Sequence, residues 1–203
     1  MIKLVIFDIG KVILNFDHHL TSQSLAGFCP YSEPEIYNMI FEDLLFYDYE
    51  EGKVSSKTYF RRIKEKLSLE INYDHFFCIW GDIFTMIAGM EDIVSRLQNK
   101  VKLYALSNTD EMHFLYLKDK FRVFNYFERI ILSYEVHARK PDYAIYKETL
   151  RQAEIPADNS LFIDDIAQNV DAFIELGGHG KVFKGTSDLA KYLAGYNLIE
   201  ENG

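Results

Sequence analysis

The chain has 203 residues, with 22 Lys and Arg against 31 Asp and Glu and a formal charge of −9. That length suits one domain with an insertion, and the acidic balance excludes a protein that coats nucleic acid with a basic face. Two cysteines are too few for a disulfide framework.

Lys3 to Phe7 (KLVIF) is apolar, partly β-branched and too short for a helix, so it reads as a buried strand. The pattern from Asn15 to Phe84 is helical instead. Ser32-Glu33-Pro34-Glu35 is a capping box opening a helix through Ile36, Ile40, Leu44 and Leu45. Ser55 or Ser56 caps a second helix carrying Tyr59, Phe60, Ile63 and Leu67. A third runs from about Asp74 to Phe84 and places Trp80, the single tryptophan, in a core. Further strands are expected at Val101–Leu106, Arg129–Leu132, Ser160–Ile163 and Lys181–Phe183, with helices over Asp142–Ala153 and Gln168–Leu176, the latter ended by Gly177-Gly178. Strands alternating with helices mean an α/β fold with a mostly parallel sheet covered on both faces. Residues 1–14 and 85–203 would form that core, 15–84 a helical cap inserted into it, and residues 200–203 a frayed end. The N-terminus shows no secretory pattern and no apolar run approaches the ~20 residues of a membrane span. The expectation is therefore a cytoplasmic protein with neither membrane nor nucleic-acid partner, its oligomeric state open and a monomer included.

In a parallel α/β sheet, ligands bind beyond the carboxyl ends of the strands. There the first strand delivers Asp8, the second Ser107-Asn108-Thr109, and the fourth Asp164-Asp165, while Lys140-Pro141 follows the third. A strand-end Asp alone is often only a turn former; the ordered set is more specific.

These residues resemble the haloacid dehalogenase superfamily of hydrolases. FDIGKV at Phe7 to Val12, LSNT at Leu106 to Thr109, RKPDYAIY at Arg139 to Tyr146 and FIDDIAQNV at Phe162 to Val170 are similar to its four motifs. The resemblance covers nearly the whole chain and implies a Rossmann-like three-layer α/β/α core with a helical C1 cap after the first motif. It implies Mg2+-assisted hydrolysis of a small phosphorylated metabolite through an aspartyl-phosphate. Asp8 would be the nucleophile. Asp8, the Gly10 carbonyl, Asp164 and Asp165 would hold the ion, with Asp165 the direct acidic ligand. Ser107 and Asn108 would bind phosphate, and Lys140 would neutralise it and restrain Asp8. For Asn169 two readings stand, orientation of the metal shell or an exposed helix residue.

The pattern departs from the family at Gly10, where its phosphatases carry a second Asp as general acid and base. Such help is worth ~10²–10⁴-fold. The substrate leaves without much protonation, as an anomeric or acyl phosphate would, or Asp17, His18 or His19 substitutes, or the protein is a catalytically weak phosphate-binding or regulatory relative. The D-x-G-x-V form is also similar to a branch that includes bacterial α-glucose-1-phosphate phosphatases, so a sugar 1-phosphate is the leading substrate expectation. Dehalogenating members lack the second Asp too, but Asp164-Asp165 favours phosphate chemistry, since they need no Mg2+. His18-His19 is expected in a solvated turn or hinge, Cys29 and Cys78 as small buried hydrophobes, and Arg61 to Lys66 as a solvated helix face.

Overall fold

In the computed structural model, which describes residues 1–200, β1 (Leu4–Phe7) and β2 (Leu14–Phe16) are followed by five helices: α1 (His18–Leu25), α2 (Glu33–Phe41), α3 (Leu44–Glu50), α4 (Ser56–Leu67) and α5 (Tyr73–Gly81). After β3 (Phe84–Met86) come α6 (Met90–Leu97), β4 (Lys102–Ser107), α7 (Glu111–Lys120), β5 (Arg129–Leu132), α8 (Ser133–Val136) and α9 (Tyr143–Ala153). The chain then forms β6 (Ser160–Asp164), α10 (Ala167–Glu175), β7 (His179–Val182) and α11 (Thr186–Gly195). From residue 201 on, the expected frayed end lies outside the described residues.

β1 is the central strand of a five-stranded sheet in the order β5-β4-β1-β6-β7, all neighbours parallel. Its side chains alternate between two cores. Val5 and Phe7 join the apolar residues of α6 and α11 on one face, and Leu4 and Ile6 join those of α9 and α10 on the other. Burial on both faces is why β1, β4 and β6 read as continuous apolar runs. β7 lies nearer the N-terminus than the expected Lys181–Phe183, because this half-buried edge strand includes His179 and Gly180, which carry no apolar signal.

The helices of residues 18–81 enclose a separate core around Trp80, which is fully buried and stacks on Phe41 and Phe76 with Tyr59 edge-on. The single pattern expected from Ile36 to Leu45 is split into α2 and α3, since the Asp43 side chain accepts from Leu45 N and starts a new helix. The third helix stops at Gly81, and Phe84 lies instead in β3, which pairs antiparallel with β2. This two-stranded ribbon joins the helical block to the sheet. α5 packs closely on α7: a Cβ on Gly81 would sit 2.2 Å from Tyr116 Cγ, so only glycine fits at the crossing. Met112 of α7 enters the helical core. The Arg61–Lys66 segment is solvated apart from the inward Ile63 and the half-buried Lys64. Cys78, however, is exposed and Cys29 half-buried, so Cys78 does not serve as core. Among the described residues no helix is long and apolar enough to cross a membrane.

Candidate active site

The carboxyl ends of the central strands bring the expected residues together. Asp8 immediately follows β1, Ser107 ends β4, and Asp164 ends β6 with Asp165 beyond it. Lys140 reaches in from the loop between α8 and α9. Its Nζ lies 2.7 Å from Asp8 Oδ1 and 2.6 Å from Asp164 Oδ2, and donates to Leu106 O at 3.2 Å. The Asn108 side chain fixes that loop to the end of β4: its amide donates to Lys140 O at 3.0 Å, and its oxygen accepts from Lys140 N at 2.8 Å. Asn169 is buried and donates to both oxygens of Asp164, at 3.0 and 3.1 Å. The exposed-helix alternative for Asn169 is therefore wrong; its position one turn along α10 points it back at the strand end.

The charges are mutually dependent. Burial pushes the Asp8 carboxyl up to about 7, with the Lys140 charge opposing and Asp164 adding to the rise. Burial works against the Lys140 ammonium, yet Asp8 and Asp164 together hold its pKa above the ordinary value. Burial, then Asp164, raises Asp165. Carboxylate oxygens of Asp8, Asp164 and Asp165 all lie within 4.8 Å of one another. Three hard oxygen donors converging in this way fit a small divalent cation such as Mg2+. The two acids of β6 differ: both Asp164 oxygens already accept from Lys140, Asn169 or Ile166 N, whereas Asp165 lines an open pocket of about 200 Å³. Ser107, Asn108, Lys140 and Arg139 line the same pocket.

Gly10 also lines it, and the space a side chain there would use is filled by a ring. A Cβ on Gly10 would meet Phe16 Cε1 at 2.8 Å. Gly10→Asp alone is therefore expected to lose ~1–3 kcal/mol through overpacking, most of it recovered in Gly10→Asp/Phe16→Leu; thermal melts of both variants check this.

The three nearby acid candidates divide. Asp17 is exposed and caps α1 through His19 N. His19 is exposed, with Nδ1 2.6 Å from Glu33. His18 is not in a solvated turn: its ring stacks on Phe41 at 4.2 Å and lies 6.0 Å from that of His113. Burial first, then His113, pushes the His18 imidazole down to about 3 from 6.5. Below 6.5 the unfolded chain takes up a proton that the folded chain refuses, so stability falls as pH drops from there towards 3. His18→Phe should remove up to about 1.4 kcal/mol per pH unit of that decline, measurable in denaturant titrations at successive pH values.

No pattern in the sequence assigns a role to Phe16, Glu50, Asp110, His113 or Arg139. Asp110 caps α7, accepts from His113 N, and has Oδ2 2.6 Å from His113 Nδ1. Arg139 reaches Glu50 at 2.7 Å. The D-x-x-H spacing after LSNT was the available signal, but it reads equally as an ordinary helix cap.

A family model described as haloacid dehalogenase-like hydrolase matches residues 2–177. The chain is 22% identical over 198 residues to drimenol cyclase of Aspergillus calidoustus, covering 95% of this chain and 36% of that protein, so it spans only about a third of that relative. It is 23% identical over 184 residues to D-ribitol-5-phosphate phosphatase of Bacteroides thetaiotaomicron, covering 87% and 89% of the two chains. A wild-type enzyme of the same family from Bacteroides thetaiotaomicron, crystallised with magnesium and inorganic phosphate, superimposes with a TM-score of 0.79 at 25% identity, covering 91% of this chain and 96% of that one.

Proposed function

The chain belongs to the haloacid dehalogenase-like hydrolase family, and from that premise we propose that it is a Mg2+-dependent phosphatase of a small phosphorylated metabolite. The observation that carries this reading is the Lys140 bridge between Asp8 and Asp164, beside Asp165. Asp8 is the nucleophile: one oxygen attacks phosphorus as the bond to the leaving group breaks, and water then cleaves the aspartyl-phosphate. Oδ1 is already engaged by Ile9 N and Lys140, which fixes the rotation of the carboxylate before attack. Lys140, Ser107 and Asn108 face the phosphate oxygens and offset their charge. Asp8, Asp165 and the Gly10 carbonyl would hold Mg2+, with Asp164 completing the set. When bound, the ion supplies positive charge opposite the phosphate and favours ionised Asp8. The helices of residues 15–84 act as a cap over a core of 1–14 and 85–203, and Phe16 from that segment closes one side of the pocket.

Two substrate classes have separate support. The leaving-group argument at Gly10 favours a sugar 1-phosphate. The similarity in length and sequence to D-ribitol-5-phosphate phosphatase favours a sugar-alcohol phosphate. The test is Mg2+-dependent phosphate release from α-glucose 1-phosphate, glucose 6-phosphate, D-ribitol 5-phosphate, a nucleoside monophosphate and acetyl phosphate. Release from at least one, abolished by chelation of the metal, is expected. No release from any at saturating Mg2+ would replace the enzyme by a phosphate-binding relative.

A further inference from the structure

Behind Phe16 lies a second cavity, of about 50 Å³. Gly10, Ser107 and Asn108 wall both this cavity and the active-site pocket, and His18, Glu50 and His113 close its far side. The His113 side chain is buried, and its Nε2 has no hydrogen-bond partner. Its other nitrogen is 2.6 Å from Asp110. Asp110 is itself fully buried and accepts from Trp80 Nε1 with both oxygens, at 3.2 and 3.1 Å. The Trp80 ring stacks on the imidazole at 5.0 Å. One nitrogen is thus fixed by a carboxylate that is locked in turn, and the other is left open. A buried polar atom without a partner costs stability, and this one belongs to a residue lining the same cavity as the proposed phosphate-binding Ser107 and Asn108.

Resting on the phosphatase reading, we propose that His113, oriented by Asp110, is the proton relay that replaces the acid absent at position 10, exchanging protons with the pocket through water in this cavity. The volume, about 50 Å³, is several times the ~10–15 Å³ that one water requires, and Ser107, Asn108, Glu50 and His113 place polar groups in a wall otherwise made largely by Ile9, Phe16, Phe84 and Leu117. In the first step the P–O bond to the leaving group breaks as Asp8 bonds to phosphorus; the departing oxygen takes a proton from the relay, leaving His113 neutral. In the second, water attacks the aspartyl-phosphate, its proton returns to His113, and hydrogen phosphate leaves with Asp8 again a free carboxylate.

The titratable and charged groups facing His113 are Asp110 at the start of its own helix, His18 from α1, and Glu50 at the end of α3 with its partner Arg139. Burial holds His18 neutral and pushes Glu50 up to about 7 against the pull of Arg139. Glu50 keeps its ion pair at 2.7 Å, and His18, whose Nδ1 is also without a hydrogen-bond partner, has no carboxylate holding its ring among the described residues, whereas His113 combines an open nitrogen with an orienting carboxylate. That difference selects His113.

The experiment measures kcat/KM against pH at saturating Mg2+, with two probes: the best sugar or polyol phosphate of the panel, and p-nitrophenyl phosphate, whose leaving group departs unprotonated. His113→Asn places an amide nitrogen where Nδ1 sits, so it preserves the bond to Asp110 and removes the titrating nitrogen. It should slow the first probe by ~10²-fold or more, slow the second far less, and erase the alkaline limb of the profile. Asp110→Asn still caps α7; as a positioning variant it should slow the first probe more than the second, and it carries the test if His113→Asn does not fold. Equal slowing of both probes with an unchanged profile would make the pair structural and overturn the proposal. So would loss of the alkaline limb in Glu50→Gln but not in His113→Asn. Absence of phosphate release by the unmodified protein would instead remove the phosphatase reading itself.

Discussion

Asp8→Asn is expected to lower phosphate release by at least ~10⁴-fold, the scale seen when a nucleophile is removed from an otherwise intact site, while leaving the melting temperature without Mg2+ as high as before or higher. The two halves follow from one geometry. Asp8 is almost wholly buried, and that burial makes its charge costly enough to push its pKa up to about 7. Near and above neutrality the native carboxylate is a desolvated charge whose partner, Lys140, is shared with Asp164. An amide of the same shape removes that cost. Ile9 N keeps an acceptor in the amide oxygen, and Lys140 keeps Asp164. What the amide cannot do is form the covalent bond to phosphorus. Release near the unmodified rate would remove Asp8 as nucleophile. A large drop in melting temperature would show that Asp8 was a structural ion-pair partner, and that its charge stabilised the fold.

How far the molecule was legible in its sequence depends on the range of the forces involved. β1, β4, β5 and β6 were visible because burial on one or both faces writes a local apolar run, and strand-end polar residues then follow from parallel topology alone. β2 and β3 were invisible: each has three residues, and they pair across some seventy intervening positions. His18 was misplaced because nothing in its own neighbourhood announces the rings that bury it; Phe41, Phe46 and His113 arrive from α2, α3 and α7. The Asp110–His113 pair lies three residues apart, a spacing that an ordinary helix cap shares. Its separation from a mere cap rests on Trp80, thirty residues earlier, which locks the carboxylate from the other side. Gly10 is legible in the sequence as the departure from the motif. That Phe16 fills the freed space is a contact between β2 and the loop before it, and side-chain contacts of that kind are not written in composition or periodicity.

Lys140→Met should be the most damaging single change to the fold itself. The ammonium is buried between Asp8 and Asp164, and a side chain of similar length without charge leaves both carboxylates, with Asp165 close by, inside a low-dielectric cluster without a cation. Breaking a buried pair in this way costs ~3–5 kcal/mol. The sign with pH is specific. Without Lys140 the folded-state pKa values of Asp8 and Asp165, both already raised, rise further above their unfolded values, so the folded chain binds protons that the unfolded chain has released. Stability then falls as pH rises through that window, and the gap between variant and parent should be small in acid and widen towards neutrality. Mg2+ should narrow it again, raising the melting temperature of the variant more than that of the parent, because a divalent cation at the same carboxylates returns the missing charge. Activity would stay low even then, since no ammonium restrains Asp8 Oδ1 and one of the positive charges opposite the phosphate is missing. A gap that is flat from acid to neutral pH would show that Lys140 does not stabilise through these carboxylates, leaving its contact with the Phe162 ring, whose centroid lies 5.5 Å from Nζ, and the electrostatic account of the site would fail with it.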